Sequence, residues 1–169
     1  MSGKKKVQGR VLSQQKIAPG IYDLWMETEL AKEAGAGQFI GIYPEDGAHL
    51  LPRPISICEV DKARGALRVV YRIVGAGTAW FATWKPKQKV DILGVLGNGY
   101  PVREVLENYT GKENKKEEPG GREIVLLGGG IGIPPMLELA KELSAQGTEP
   151  VIGIKTCFLR MTLQSTAGF

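Results

Sequence analysis

Apolar residues recur with two different periods along this chain of 169 residues. From residue 7 to residue 91 they fall in short alternating runs broken by proline and glycine, as in strands joined by tight turns. Gln38-Phe39-Ile40-Gly41-Ile42-Tyr43 and Leu67-Arg68-Val69-Val70-Tyr71-Arg72 are the clearest runs. Several short strands with such punctuation predict an antiparallel β-barrel, which the glycine-rich stretch from Gly94 to Gly99 brings to an end. The period then changes. Glu123-Ile124-Val125-Leu126-Leu127 reads as a buried strand, and Met136, Leu139, Ala140 and Leu143 form one stripe of a helix. Val151-Ile152-Gly153-Ile154 reads as a second strand. Two strands and one helix make an incomplete α/β domain, because a parallel sheet needs cover on both faces. Residues 104–121 are charged, poor in apolar positions, and read as a loop. The expected division is a barrel over 1–100, a linker over 101–121 and a shortened α/β domain over 122–169.

Composition narrows the class without changing that picture. An apolar fraction of 43% supports a buried core. The net charge is +4, but the basic residues are scattered. Lys4-Lys5-Lys6 is a short solvated run, and Lys112, Lys115 and Lys116 alternate with Glu113, Glu117 and Glu118. No basic stripe points to nucleic acid, and no apolar stretch approaches a membrane span. The N-terminal lysines are not followed by the apolar segment of a signal peptide, so a cytoplasmic protein is expected. His49 is the one histidine of the chain, which excludes a histidine triad or a multi-histidine metal site. With Glu45 and Asp46 nearby, it reads as a turn residue.

Three clusters carry candidate chemistry. The first is Arg53-Pro54-Ile55-Ser56, between the two clearest strand runs. Arginine grips a pyrophosphate with two prongs, and Pro54 holds Arg53 extended. Strand alternation puts Arg53 and Ile55 on one face and Pro54 and Ser56 on the other, so a bend or bulge must bring Arg53 and Ser56 to one ligand. The second cluster is Val70-Tyr71-Arg72-Ile73-Val74-Gly75-Ala76-Gly77-Thr78, followed by Ala79-Trp80-Phe81-Ala82-Thr83-Trp84. Gly75 and Gly77 admit a close ligand, Thr78 is placed to cap a helical turn, and the helix start is a seat for an anion. The alternative is a hairpin with a glycine turn and a core pair, Trp80 with Trp84. The third cluster is Gly128-Gly129-Gly130-Ile131-Gly132-Ile133-Pro134-Pro135, a glycine turn between strand and helix, as at the start of a nucleotide-binding unit. Gly130 and Gly132 fit the first two positions of the dinucleotide fingerprint, and Pro135 replaces the third glycine. Proline is tolerated in the first turn of a helix.

In this order the clusters resemble the ferredoxin-reductase-like flavoproteins. Among those the nearest likeness is to the electron-transfer subunits of NAD-linked dihydroorotate dehydrogenase B. The likeness runs over residues 7–154 and includes Leu51-Pro52-Arg53-Pro54-Ile55-Ser56-Ile57 and Leu93-Gly94-Val95-Leu96-Gly97-Asn98-Gly99. It implies an antiparallel FAD-binding barrel followed by an NAD-binding α/β domain. By resemblance Arg53 grips the FAD phosphates, Pro54 and Ile55 beside it are cofactor-binding, and Ser56 lies near the reactive flavin edge. Val70, Tyr71 and Arg72 line the ribityl and phosphate path. Gly77 and Thr78 seat the pyrophosphate, and Gly129, Gly130 and Gly132 face the nicotinamide nucleotide. The family function is electron transfer in pyrimidine biosynthesis, between NAD and an FMN-containing catalytic subunit that oxidises dihydroorotate, within a hetero-oligomer. The alternatives are a reductase subunit of another redox system, ferredoxin-NADP or sulfide-linked, and a non-catalytic flavin-binding remnant.

The resemblance also implies a [2Fe–2S] cluster on cysteines near the C-terminus. Such a cluster takes four thiolates, and this chain has two cysteines, Cys58 and Cys157. Neither stands in a cluster-binding spacing, and Cys58 reads as a small buried hydrophobe. Residues 155–169 lack periodicity and any likeness to the family. One permitted codon set for that stretch, read from the third base of the first codon, gives Asp-Met-Phe-Leu-Ala-Asp-Asp-Phe-Ala-Val-Tyr-Gly-Arg-Phe, which is similar to the family's continuation. A frameshift after about Ile154 is the expectation, with a naturally short homologue as its alternative.

Overall fold

The computed structural model describes residues 5–44, 51–109 and 124–155. Six antiparallel strands close into a barrel in the order β1-β2-β5-β4-β3-β6. They are β1 (Lys5–Ala18), β2 (Ile21–Glu27), β3 (Phe39–Ile42), β4 (Arg53–Asp61), β5 (Ala66–Arg72) and β6 (Lys89–Leu96). Closure falls to β1, which is 14 residues long rather than short. Its first half pairs with β6, from Lys5 opposite Gly94 to Arg10 opposite Lys89. Its second half pairs with β2, ending at Ala18 opposite Ile21. Register shifts between Val11 and Ser13 and between Lys16 and Ala18 mark irregularities along it, and such irregularities bend and twist a strand.

Alternation places Leu24 and Met26, Ile40 and Ile42, Leu67, Val69 and Tyr71, and Val90 and Ile92 inside the barrel. Two segments outside the ladders complete this core. Leu30 and Ala31 come from a 3-10 turn, Glu29–Lys32, and Phe81 and Trp84 come from α1 (Ala76–Phe81) and the turn after it. Phe81 meets Tyr71 edge-on at 5.8 Å between centroids and lies 4.6 Å from Trp84. The aromatic pair in the core is therefore Phe81 with Trp84, while Trp80 is exposed.

The α/β unit has the predicted order. β7 (Val125–Gly129) and β8 (Val151–Lys155) are parallel, with α3 (Met136–Ser144) between them in sequence. Leu139 and Leu143 of the predicted stripe are buried, with Met136 and Ala140 packed beside them. Linker residues 102–109 depart from the loop reading and form a helix, α2 (Val102–Tyr109). Val102 and Leu106, four apart and so on one helix face, pack on the cluster of Leu126, Leu139 and Leu143. The charged residues around them mask this narrow stripe in the sequence, and an Arg103–Glu107 pair at 2.9 Å spans one turn of its outer face.

The barrel and the α/β unit share both apolar and polar contacts. Ile133 and Leu137 pack on Ile21, Cys58 and Val70 of the barrel, and Ala36 sits in the α3 cluster. Glu138, on the flank of α3, is buried and its Oε2 accepts from Val60 N–H at 2.8 Å. Glu142 Oε1 accepts from Ala36 N–H at 2.8 Å. Lys141 Nζ reaches Glu59 at 2.9 Å, and Glu59 in turn accepts from Arg68, which also binds Asp23 through two nitrogens. The hydrogen bonds to Asp23 are the largest cause of a guanidinium proton held more firmly than usual.

Two measurements check this account of the fold. Ile92→Ala should lower the urea-derived stability by about 2–5 kcal/mol, the usual cost of emptying a core site. Val74→Ala, at an 80% exposed position, should change it by less than about 0.5 kcal/mol. The second concerns pH. Burial raises the Glu138 carboxyl above its ordinary range, against the lowering effect of the Val60 hydrogen bond. The folded chain then holds that proton more tightly than the unfolded one, so this contribution is full below about pH 4.3, the free carboxyl value, and is lost as pH rises through the raised value. The stability of Glu138→Gln relative to the parent should therefore increase as pH rises across that window and then level off. A constant difference from pH 4 upward, or one of opposite sign, contradicts the assignment.

Candidate functional site: a cleft between two splayed strands

β4 divides its pairing between two neighbours. Residues 53–56 pair with β3, from Arg53 opposite Ile42 to Ser56 opposite Phe39. The ladder with β5 begins only at Ile57 opposite Val69 and runs to Asp61 opposite Ala66, with a register shift between Ile57 and Glu59. The start of β4 and the end of β5 are thus free of one another. A cavity of about 350 Å³ opens there, lined by Arg53, Pro54, Ile55, Ser56, Val70, Tyr71, Arg72, Val74, Thr78 and Ile131. The bulge expected within the Arg53–Ser56 motif lies just beyond it. The strand keeps its alternation through the motif, with Pro54 and Ser56 exposed and Arg53 and Ile55 half-buried.

The floor and end of the cleft follow from β5 and α1. Val70 belongs to the cluster with Ile21, Cys58 and Ile133, whereas Tyr71 faces the barrel core and is 1% exposed. Tyr71 stacks on Tyr22 at 5.6 Å and donates its hydroxyl to Gln14 Oε1 at 3.0 Å. Burial pushes that phenol well above its usual range. Arg72 is exposed at the strand end. Gly75, in extended conformation, holds the N-cap of α1. Thr78 is therefore not the cap predicted from the sequence but lies inside the helix at its third position. Its Oγ1 accepts from Val74 N–H and Gly75 N–H at 2.9 and 3.3 Å and donates to Gly75 O. The first intrahelical bond runs from Ala79 N–H to Gly75 O, so the N–H groups of Ala76, Gly77 and Thr78 precede the helical ladder.

Gly77 explains how the arginine reaches this helix start. A Cβ at Gly77 would stand 2.5 Å from Arg53 Nε and 3.2 Å from its Cζ. The guanidinium lies against bare backbone, and any side chain there would displace it.

The glycine turn approaches the same cleft from the other unit. Gly129 ends β7 and Gly130 to Gly132 form a 3-10 turn with Gly130 at φ +56. Of this turn only Ile131 lines the cavity. Open space surrounds the Cβ positions of Gly129, Gly130 and Gly132. Gly128 acts differently: a Cβ there would meet Ile133 Cα at 3.0 Å, so its role is close strand-to-helix packing. Ile131 and Val74 both stand inside the quoted motifs, but their exposure to one cleft depends on contacts between units.

Arg53, with the helix start beside it, suits a diphosphate, and the apolar Ile55, Val70 and Ile131 suit a planar ring. An FAD fits these residues. A [2Fe–2S] cluster does not. Among the described residues no group of His, Cys, Asp or Glu could hold a metal ion, and two cysteines cannot supply four thiolates. Cys58 is fully buried and its thiol is pushed up to about 12, chiefly by burial, which slows its reaction with thiol reagents at neutral pH. Cys157, His49 and the residues after Lys155 lie outside the described residues. Among the described residues no helix is long and apolar enough to cross a membrane.

No protein-family model matches the chain. Curated relatives do. The dihydroorotate dehydrogenase B (NAD(+)) electron transfer subunit of Streptococcus pneumoniae strain R6 is 41% identical over 142 residues, covering 84% of this chain and 50% of that protein. The subunit of the same name from Lysinibacillus sphaericus is 39% identical over 155 residues, covering 88% and 55%. The chain thus spans about half the length of the curated relatives it matches. Among solved structures, an NADH-dependent reduced ferredoxin-NADP oxidoreductase superposes with a TM-score of 0.67 at 25% identity, over 93% of this chain and 51% of the other. Ferredoxin-NADP+ reductase from Plasmodium falciparum superposes with a TM-score of 0.66 over 89% of this chain and 60% of the other. At 16% identity that likeness speaks for the fold alone. Over the half of their length that it spans, the chain is similar to the dihydroorotate dehydrogenase B electron transfer subunits, and its barrel is of the ferredoxin-reductase kind.

Proposed function

We propose that the chain is an FAD-dependent electron-transfer subunit, working between NAD(H) and an FMN-containing catalytic subunit that oxidises dihydroorotate in pyrimidine biosynthesis. The observation that carries the proposal is the Arg53 guanidinium seated against Gly77 in a cleft at the start of α1. The names of relatives near 40% identity, electron transfer subunits of an NAD-linked dihydroorotate dehydrogenase, support the redox role and a catalytic partner subunit. The barrel, residues 1–100, is the FAD-binding domain, and residues 122–169 are the part of the nucleotide domain that this chain carries.

When bound, an FAD would supply hydride-accepting and electron-transfer chemistry between a nicotinamide and the partner subunit. The residues of this chain hold and shield it. Arg53 grips the diphosphate, and the leading N–H groups of α1, at Gly77 and Thr78, face the same anion. Pro54 and Ile55 shape the wall, and Ser56 presents a hydroxyl at the flavin edge. Val70 and Arg72 line the path beyond. Tyr71 supports that path from below, because its hydroxyl is committed to Gln14. Gly129, Gly130 and Gly132 leave open space in which a nicotinamide nucleotide is received. No step is assigned to an iron–sulfur cluster. A cytoplasmic setting belongs to this reading, since Cys58 is a free thiol and free thiols persist in reducing compartments.

A second reading, a reductase subunit of a ferredoxin-linked system, draws on the likeness to the ferredoxin-NADP oxidoreductase. Co-purification from a native extract separates the two, since the proposal expects a dihydroorotate-oxidising, FMN-containing companion.

The clamp is tested by flavin-fluorescence titration. Charged hydrogen bonds are worth about 1.5–3 kcal/mol, so Arg53→Ala should weaken FAD binding by about 10- to 100-fold. Gly77→Val should weaken it comparably by displacing the guanidinium, with circular dichroism confirming an intact barrel in both. FAD affinity unchanged in folded Arg53→Ala contradicts the proposal.

A further inference from the structure

The clamp and the glycine turn stand on different units, and the reading above requires them to face one another. Apolar packing of Ile133 and Leu137 on Cys58 and Val70 brings them close. Such packing is non-directional and leaves the angle of α3 free to vary. Hydrogen bonds fix an angle, and α3 supplies two from Glu138 and Glu142, which lie four apart on one helix face. Their acceptor oxygens reach Val60 N–H and Ala36 N–H, each at 2.8 Å.

The two backbone donors flank one place in the barrel. The last bond joining the β3 and β4 segments is Ile57 N–H to Gln38 O. Ala36 precedes that point on one chain segment, and Val60 follows it on the other. The helix carboxylates take over two donors just where strand pairing stops, and buried N–H groups without acceptors are costly. Gly35 makes room for this: a Cβ there would stand 3.2 Å from Glu142 Oε1. The Lys141–Glu59 pair adds a third tie on the same helix.

α3 begins at Met136, directly after the turn that sends Ile131 into the cleft. We infer that Glu138 and Glu142 are positioning residues, a carboxylate staple that sets where the glycine turn stands over the Arg53–Ser56 cleft and so the spacing between the flavin and nicotinamide sites. The inference rests on the FAD and NAD reading. A helix released from both backbone donors swings on its apolar contact and carries Ile131 and Ile133 away from the cleft and from Cys58.

The test compares Glu138→Ala, Glu142→Ala and the two glutamine variants in the full chain, by two readouts other than turnover. One is the alkylation rate of Cys58 by iodoacetamide, followed on the Cys58 peptide by mass spectrometry. The other is the rate at which bound FAD escapes after dilution. Both alanine variants should raise both rates by about 10-fold, as expected for one buried donor left unpaired. Both glutamine variants should stay within about twofold of the parent, because an amide oxygen accepts the same N–H. Alanine variants with parental FAD escape, whatever their Cys58 rate, overturn the inference. So do glutamine variants that behave like the alanine ones. If Glu138→Ala does not fold, the half-buried Glu142 carries the same comparison. A parent chain that takes up no FAD at all overturns the functional reading itself. That outcome is distinct from failure of the staple alone, in which parent and alanine variants hold FAD equally long.

Discussion

A single strand divided between two partners underlies the architecture. β4 spends its first half on β3 and its second half on β5. Each half therefore has an edge that no strand covers, and backbone donors at such an edge need other acceptors. The two edges are used in opposite ways. On the side of β5 the gap is left open and becomes the cleft of Arg53 to Ser56. On the side of β3 the gap is closed by α3, whose Glu138 takes the Val60 N–H. The candidate cofactor site and the docking of the second unit are two results of one change of partner at Ile57.

Charge placement follows the same logic. Arg53 lies against the bare backbone of Gly77 at a helix start, and in the proposed function its charge serves a diphosphate. Arg68 sits farther along the neighbouring strand, and its charge is spent inside the protein on Asp23 and Glu59. Glu59 also receives Lys141, which ties that network to α3. Within this network Arg68 makes three charged hydrogen bonds and Glu59 accepts two, from Arg68 and Lys141, the condition under which burial of charge is tolerated.

Local features of this site were legible in the sequence. The strand runs, the apolar stripe of α3, the Arg-Pro-Ile-Ser motif and both glycine turns are patterns over a few neighbouring residues, and the structure gathers the two strand motifs around one cleft. What escaped was set by contacts distant in sequence. Glu138 lies outside the apolar stripe of its helix, and nothing nearby in the sequence reveals a donor stranded on β4. The Arg53 and Ser56 side chains meet one cleft through the splaying of two strands, not through a bulge between them. Thr78 reads as a cap, yet the bare backbone of Gly75 takes that position and the threonine reaches back to it from inside the helix. α2 was hidden because its stripe is two residues wide among charges, and it becomes a helix by packing on α3.

The central claim is that the splayed β4–β5 edge is a flavin site. A visible absorption spectrum of the purified chain, taken after incubation with FAD and desalting, tests it most directly. Retained oxidised-flavin bands, near one flavin per chain, are the predicted result. A colourless protein whose circular dichroism still shows a folded barrel would contradict the claim.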